Sequence, residues 1–231
     1  GGAVLATLQG TPDVSAVLVT SDGGETWSIQ RLDTATDRPL FAVHFFDARH
    51  GVAVGLWSLV LTTEDGGLTW IVRTIVPPPG AKKADLNLLS LLTDNQGALY
   101  STAERGKLLR PHDRGATWRY IETGYAGSLW TGLALADGSL IAAGQRGTVM
   151  RAPSFNGPWT QVPMQSRSSI TSIALESGGV GLAGLGGPFA RSTGGGRREE
   201  SGHAPGDGQL VIRREITRTG RHRVFVNDSP A

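Results

Sequence analysis

Three features of the 231 residues predict an all-β chain built from repeated four-stranded antiparallel units. A turn box recurs at a period of 41 to 48 residues. Each period holds four short runs of strand length, separated by Gly or polar turns. The composition, with 33 Gly, 12 Pro, 39% hydrophobic and 6% aromatic residues, suits many short strands and tight turns better than long helices.

The box comes first in the argument because a missed repeat misreads the whole fold. Thr20-Ser21-Asp22-Gly23-Gly24-Glu25-Thr26-Trp27 returns as Thr63-Glu64-Asp65-Gly66-Gly67-Leu68-Thr69-Trp70. With Pro in place of the first Thr it returns again as Pro111-His112-Asp113-Arg114-Gly115-Ala116-Thr117-Trp118. An eroded fourth copy spans 152–159, with Ser154 at the Asp position and Trp159 at its end. The chemistry is that of a tight turn between strands. Asp22, Asp65 and Asp113 accept backbone N–H groups further along the turn, Gly24, Gly67 and Gly115 supply left-handed backbone, and the Trp packs between strands. A metal would need these carboxylates to converge, yet they lie a whole repeat apart, so the turn reading is preferred.

The strands follow in order. Apolar runs at 41–46, 88–92, 130–135 and 170–175 open the repeats, and second strands follow at 52–55, 98–102, 140–143 and 180–183. A second tight turn comes next, with Gly106, Gly147 and Gly187 at matching places and Ser58 in the first copy. Third strands at 59–63, 107–110, 148–151 and 188–191 run into the boxes, and each box Trp opens a fourth strand. Four short antiparallel strands in about 40 to 45 residues is the pattern of a β-propeller blade.

These boxes resemble the Asp-boxes, or BNR repeats, of sialidases and related propellers. The stretch Phe45 to Trp70, with Gly51-Val52-Ala53-Val54-Gly55 ahead of its box, resembles more closely the photosystem II assembly and stability factors and their relatives in non-photosynthetic bacteria. The resemblance covers 1–193 and implies a non-catalytic propeller that serves as a protein-binding scaffold in an extracytoplasmic compartment. About four and a half repeats are visible, fewer than the six or seven blades that the resemblance implies, so the ring reads as incomplete. The chain opens on Gly with no charged and apolar leader, and reads as processed or truncated.

After Thr193 the period stops. Residues 194–208 read as a Gly-rich flexible linker, and 209–231 as a β-hairpin tail with strands at 209–217 and 221–227 joined by Arg218-Thr219-Gly220. The tail resembles a short stretch of bacterial DNA-repair ATPases, which points to an unrelated origin, yet the chain holds no GxxxxGK[ST] phosphate cradle. The charge agrees with this division. Residues 1–193 carry 15 Lys/Arg and 15 Asp/Glu, while 194–231 carry 7 and 5, so the net +2 belongs to the tail and the repeats show no nucleic-acid footprint.

Several chemistries are disfavoured. No Cys is present, which removes thiol nucleophiles and thiolate metal sites. The five His show no metal spacing, and Gly179-Val180-Gly181-Leu182-Ala183-Gly184 matches GxGxxG only formally, because it falls inside a second strand rather than at a strand-to-helix junction. No cofactor is expected. The alternative, a sialidase-like or glycan-binding propeller, would need an Arg cluster and a Tyr nucleophile, but Tyr100 and Tyr120 fall at packing positions and the Arg-Ile-Pro signature is missing.

The candidate site follows from blade topology. Turns after the first and third strands share one face, and turns after the second strand share the other with the inter-blade links. Trp57, Arg105 and Arg146 occupy equivalent second turns, and the links add Lys82, Lys83 and Tyr125. An exposed Trp among Arg and Tyr has the composition of a binding hot spot, suited to an acidic peptide or a membrane-protein segment.

Overall fold

The computed structural model describes residues 2–8, 14–20, 22, 24–32, 36–176, 179–185, 190–193, 197–200, 212–216, 222–226 and 229–230, with side chains for 17–20, 22, 24–30, 36–175 and 179–185. No helix among them is long and apolar enough to cross a membrane.

The strands group into successive antiparallel sheets. The first contains β1 (Gly2–Leu8), β2 (Val14–Thr20) and β3 (Ser28–Ile29). The next adds β4 (Arg31–Leu32), β5 (Leu40–Phe45), β6 (Gly51–Gly55), β7 (Val60–Thr63) and β8 (Thr69–Arg73), in the order β4-β8-β7-β6-β5. Here β4 lies parallel to β8, so the end of the first repeat joins the outer edge of the second.

Two four-stranded sheets follow in simple up-and-down order. One is β9 (Leu88–Thr93), β10 (Leu99–Ala103), β11 (Lys107–His112) and β12 (Thr117–Glu122); the other is β13 (Leu129–Ala134), β14 (Leu140–Gly144), β15 (Val149–Ala152) and β16 (Thr160–Val162). The fifth sheet is β17 (Ile170–Glu176), β18 (Gly179–Gly184), β19 (Ala190–Thr193) and β20 (Arg197–Glu200). The GxGxxG stretch is thus strand β18. A last sheet holds β21 (Ile212–Ile216), β22 (His222–Val226) and β23 (Ser229–Pro230). The architecture is the all-β propeller blade pattern expected above.

Two details differ from the expectation. Arg197–Glu200, read as linker, is strand β20, which pairs with β19 from Ala190↔Glu200 to Thr193↔Arg197. An outer blade strand needs little apolar content, so a Gly-flanked charged segment can supply one. The tail has a third strand, with Phe225↔Pro230 and Val226↔Ser229 pairs added to the expected hairpin. The rest of the linker, the Arg218–Gly220 turn and Gly187 lie outside the described residues.

Three of the second strands are buried throughout. Every residue of β6, β10 and β14 is buried, because each such strand lies in mid-sheet with other blades on both faces. Side chains alternate between the two neighbouring inter-blade clusters. Val52 and Val54 of β6 pack with Leu88, Leu99, Leu109 and Trp118 of the next blade. Ala53 of the same strand packs with Val17, Leu59, Leu61 and Trp70 on the opposite side. The period of two thus builds a chain of cores.

The boxes are hydrogen-bonded turns. The Thr63 hydroxyl donates to Asp65 at 2.8 Å and accepts from the Gly67 N–H at 2.9 Å, while the Thr69 N–H and hydroxyl donate to Asp65 at 3.0 and 2.6 Å. Thr20, Asp22, Gly24 and Thr26 repeat this arrangement. Pro111 has no hydroxyl to offer, and the third box turns differently: Asp113 and Arg114 both take positive φ (45° and 56°), although Thr117 N–H still donates to Asp113 at 2.7 Å. The eroded box uses Phe155 instead, buried and tilted against Tyr100 with centroids 5.1 Å apart. Trp27 and Trp118 donate Nε1–H to Gly24 and Gly115 carbonyls at 3.0 Å, and Trp159 to Phe155 at 3.2 Å.

These bonds predict a dependence of stability on acid. The Thr69 hydroxyl and N–H hold the Asp65 carboxyl down at about 2, from an ordinary 3.8, and the Thr20 and Thr26 hydroxyls lower Asp22. A folded value below the unfolded one contributes stability that is complete above about 3.8 and is lost as pH falls through about 2. Urea midpoints are therefore expected to decline between pH 5 and 2. Asp65→Asn should be less stable at pH 5 and show a shallower decline; parallel pH profiles would remove Asp65 from this role.

Candidate functional site

At the end of three blades opposite the box, the second turn closes with a bond from its fourth residue to its first. Leu59 N–H reaches Leu56 at 3.0 Å, Lys107 N–H reaches Glu104 at 3.2 Å, and Thr148 N–H reaches Gln145 at 3.1 Å. Both central residues have positive φ: Trp57 and Ser58 (50° and 55°), Arg105 and Gly106 (55° and 64°), Arg146 and Gly147 (57° and 67°). This is the type I′ hairpin turn, whose twist matches that of the strands it joins. Asn is the usual first residue there, and a larger side chain costs about 1 kcal/mol or more in this region. Three successive blades nonetheless place Trp or Arg at this apex.

Each second turn is bonded to the inter-blade links. The first residue of the turn donates its N–H to the link carbonyl ahead of its own blade: Leu56 to Pro39 (2.9 Å), Glu104 to Asn87 (3.3 Å), Gln145 to Ser128 (3.0 Å) and Leu185 to Ser169 (2.8 Å). Gly55, Gly144 and Gly184 precede three of these donors, and a Cβ there would collide with the accepting carbonyl oxygen. The longest bond, at Glu104, is the one preceded by Ala103. Further bonds run to the link of the following blade: Ser58 N–H to Leu86 (2.7 Å), Trp57 N–H to the Asn87 side chain (3.0 Å), Gly106 N–H to Gly127 (2.7 Å) and Arg146 N–H to Ser169 Oγ (3.1 Å). Second turns and links therefore share one face.

On that face Trp57 is 58% exposed and Arg146 is exposed, with no acidic partner among the described residues. Arg105 is exposed and forms an ion pair with Asp85 at 3.3 Å. Both partners are about half exposed, so solvent screens the pair and little energy holds Arg105 there. Lys82 and Lys83 lie exposed on the link before β9. Tyr125 differs from the rest. It is half-buried against the Tyr100 and Phe155 cluster and donates its hydroxyl to the Gln145 carbonyl at 3.2 Å, so it braces the link.

Two cations escaped the sequence reading. Arg38 donates Nη1–H to the Trp57 carbonyl at 3.2 Å, and Arg167 is exposed with its Cα against Gly147, next to Arg146. Both lie in links, and the rule that selected Lys82 would have found them had it been applied to every link.

The tyrosines sit in structural surroundings. Burial and the Asp94 carboxylate push the Tyr100 hydroxyl up to about 12, and that hydroxyl donates to Asp94 at 2.8 Å. Burial likewise raises Tyr120 to about 12, and its hydroxyl donates to the Val76 carbonyl at 3.0 Å.

Residues 26–126, which include the Phe45 to Trp70 stretch, match the family model described as Photosynthesis system II assembly factor YCF48. No curated protein matches the chain. Among solved structures it is similar to YCF48 bound to D1 peptide, with 22% identity and a TM-score of 0.55 over 81% of this chain and 60% of that one. It is also similar to YCF48 from Cyanidioschyzon merolae, with 15% identity and a TM-score of 0.62 over 94% of this chain and 77% of that one. The chain thus spans about 60% of the length of the first of these structures. At such identities the structural likeness establishes the propeller fold. The family model matches residues 26–126, a little under half of the chain, and that stretch spans the second and third boxes.

Proposed function

We propose that the chain is a non-catalytic scaffold, similar in role to photosystem II assembly factors, that binds an extended protein segment on the face formed by the second turns. The observation that carries this reading is the repeated placement of Trp57, Arg105 and Arg146 at left-handed turn apices, where the same fold could have used Asn or Gly. Large side chains kept at strained exposed positions favour a binding role over simple solvation. Arg38, Arg167, Lys82 and Lys83 add positive charge to this face, which suits a partner with carboxylates. The similar YCF48 structure is bound to a D1 peptide, which supports a peptide from a membrane protein as the partner. An extracytoplasmic address, periplasmic, thylakoid-lumenal or secreted, accompanies this reading. The tyrosines favour it over the sialidase-like alternative, since their hydroxyls are occupied by structural bonds.

Titration with the D1 peptide tests the proposal. The double variant Arg105→Glu, Arg146→Glu is expected to bind about tenfold more weakly at low salt, with a smaller difference at high salt. Equal affinity of wild type and variant at low salt would overturn it.

A further inference from the structure

The first strand of each blade contains a β-bulge at the same place. Leu40 pairs with Gly55 and Ala42 with Val54, which leaves Phe41 as the extra residue. The same shift leaves out Leu89 between Leu88 and Ser90, Trp130 between Leu129 and Thr131, and Thr171 between Ile170 and Ser172. Each bulged residue comes two positions after the link carbonyl that accepts the second-turn N–H, at Pro39, Asn87, Ser128 and Ser169. The four bulges therefore share the face of the second turns. They also lie on the strands at the inner edges of the sheets, since β5, β9, β13 and β17 contact one another in succession.

Bulges re-aim side chains, and here they take large apolar ones out of the blade cores. Phe41 is 41% exposed, Leu89 and Trp130 are half-buried, and none of the three joins the buried clusters between blades. The Trp130 Nε1–H finds no acceptor among the described residues.

We infer that Phe41, Leu89 and Trp130 form an apolar arc around the propeller axis that receives one aromatic or aliphatic side chain of the partner, while the cations at the second turns take its carboxylates. The occupant is thus an extended acidic segment with a bulky apolar residue at its middle, and this rests on the peptide-binding reading above. The argument for it is continuity: each bulged residue lies two positions after a link carbonyl, and the N–H bonded to that carbonyl lies one position before a turn apex, Trp57, Arg105 or Arg146. A ligand crossing the face meets both.

Two synthetic peptides test this, each with Glu residues flanking a central position that is Phe in one and Ser in the other. Wild type is expected to prefer the Phe peptide by roughly fivefold or more. Phe41→Ser and Trp130→Ser, made singly and checked for unchanged melting, should each reduce that preference and leave the affinity for the Ser peptide unaltered. Arg146→Glu should weaken both peptides equally. If wild type binds both peptides alike in a salt-dependent manner, or if both Ser variants keep the full preference, the apolar arc is refuted and the peptide-binding reading survives. Failure of both peptides to bind wild type overturns the two together.

Discussion

Trp70→Ala is expected to lower the unfolding free energy by about 3 to 5 kcal/mol, the usual range for truncating a buried aromatic residue. Trp70 is fully buried at the core shared by the first two sheets, among Val17, Leu40, Ala53, Leu59 and Leu61, and meets Phe45 edge-on with centroids 5.8 Å apart. Trp27, the same residue of the preceding box, is 43% exposed, so Trp27→Ala should cost only about 1 kcal/mol. Trp70→Phe separates two contributions. It removes an indole N–H that is buried without an acceptor among the described residues, and so should cost clearly less than Ala. Urea denaturation of the three variants decides the matter: equal losses for Trp70→Ala and Trp27→Ala would contradict the difference in burial.

Gly106→Ala should be the most damaging small substitution on the second-turn face. Its φ of 64° already disfavours a side chain, and a Cβ there would fall on the Tyr125 carbonyl of the short link to the next blade. The link or the turn must move, which would break the 2.7 Å bond from Gly106 N–H to Gly127. A loss of about 3 kcal/mol or more is expected, from left-handed strain plus overpacking. Gly138→Ala is the control, because its φ is 83° but its Cβ would meet nothing within 4 Å. Only the conformational cost of about 1 kcal/mol should remain there. Denaturation midpoints that fall equally for the two variants would mean that the link does not hold the turn closely.

The propeller was legible because its signals are local. Thr63, Asp65, Gly67 and Thr69 form a turn from their own side chains, so the motif survives in sequence wherever the turn does. Buried strands such as β6 are equally plain, since a mid-sheet strand must be apolar on both faces. Outer strands carry no such requirement, which is why Arg197–Glu200 reads as linker and is strand β20. The bulges were hidden for a different reason. An apolar run such as Leu88-Leu89-Ser90-Leu91 has the same composition with or without an unpaired residue, and only the pairing with β10 shows that Leu89 is left out. At the candidate site, turn positions gave Trp57, Arg105 and Arg146. The bracing role of Tyr125 depends on a contact with Gln145 twenty residues on, which no spacing rule encodes.

The bond from each second turn to the link ahead of its own blade also dictates where the chain can vary in length. The links before β9, β13 and β17 span residues 74–87, 123–128 and 163–169, yet each ends by placing one carbonyl, of Asn87, Ser128 or Ser169, against the turn. That carbonyl acts as a register pin. Residues inserted upstream of it lengthen a solvent loop and leave the bulge, the strand pairing and the turn apex in place. A single residue inserted between the pin and the strand would rotate every later side chain of the inner strand to the opposite face, exchanging core and axis. Diversification of this scaffold is thus confined to one side of four backbone oxygens, with the loops free to change and the frame that presents them held constant.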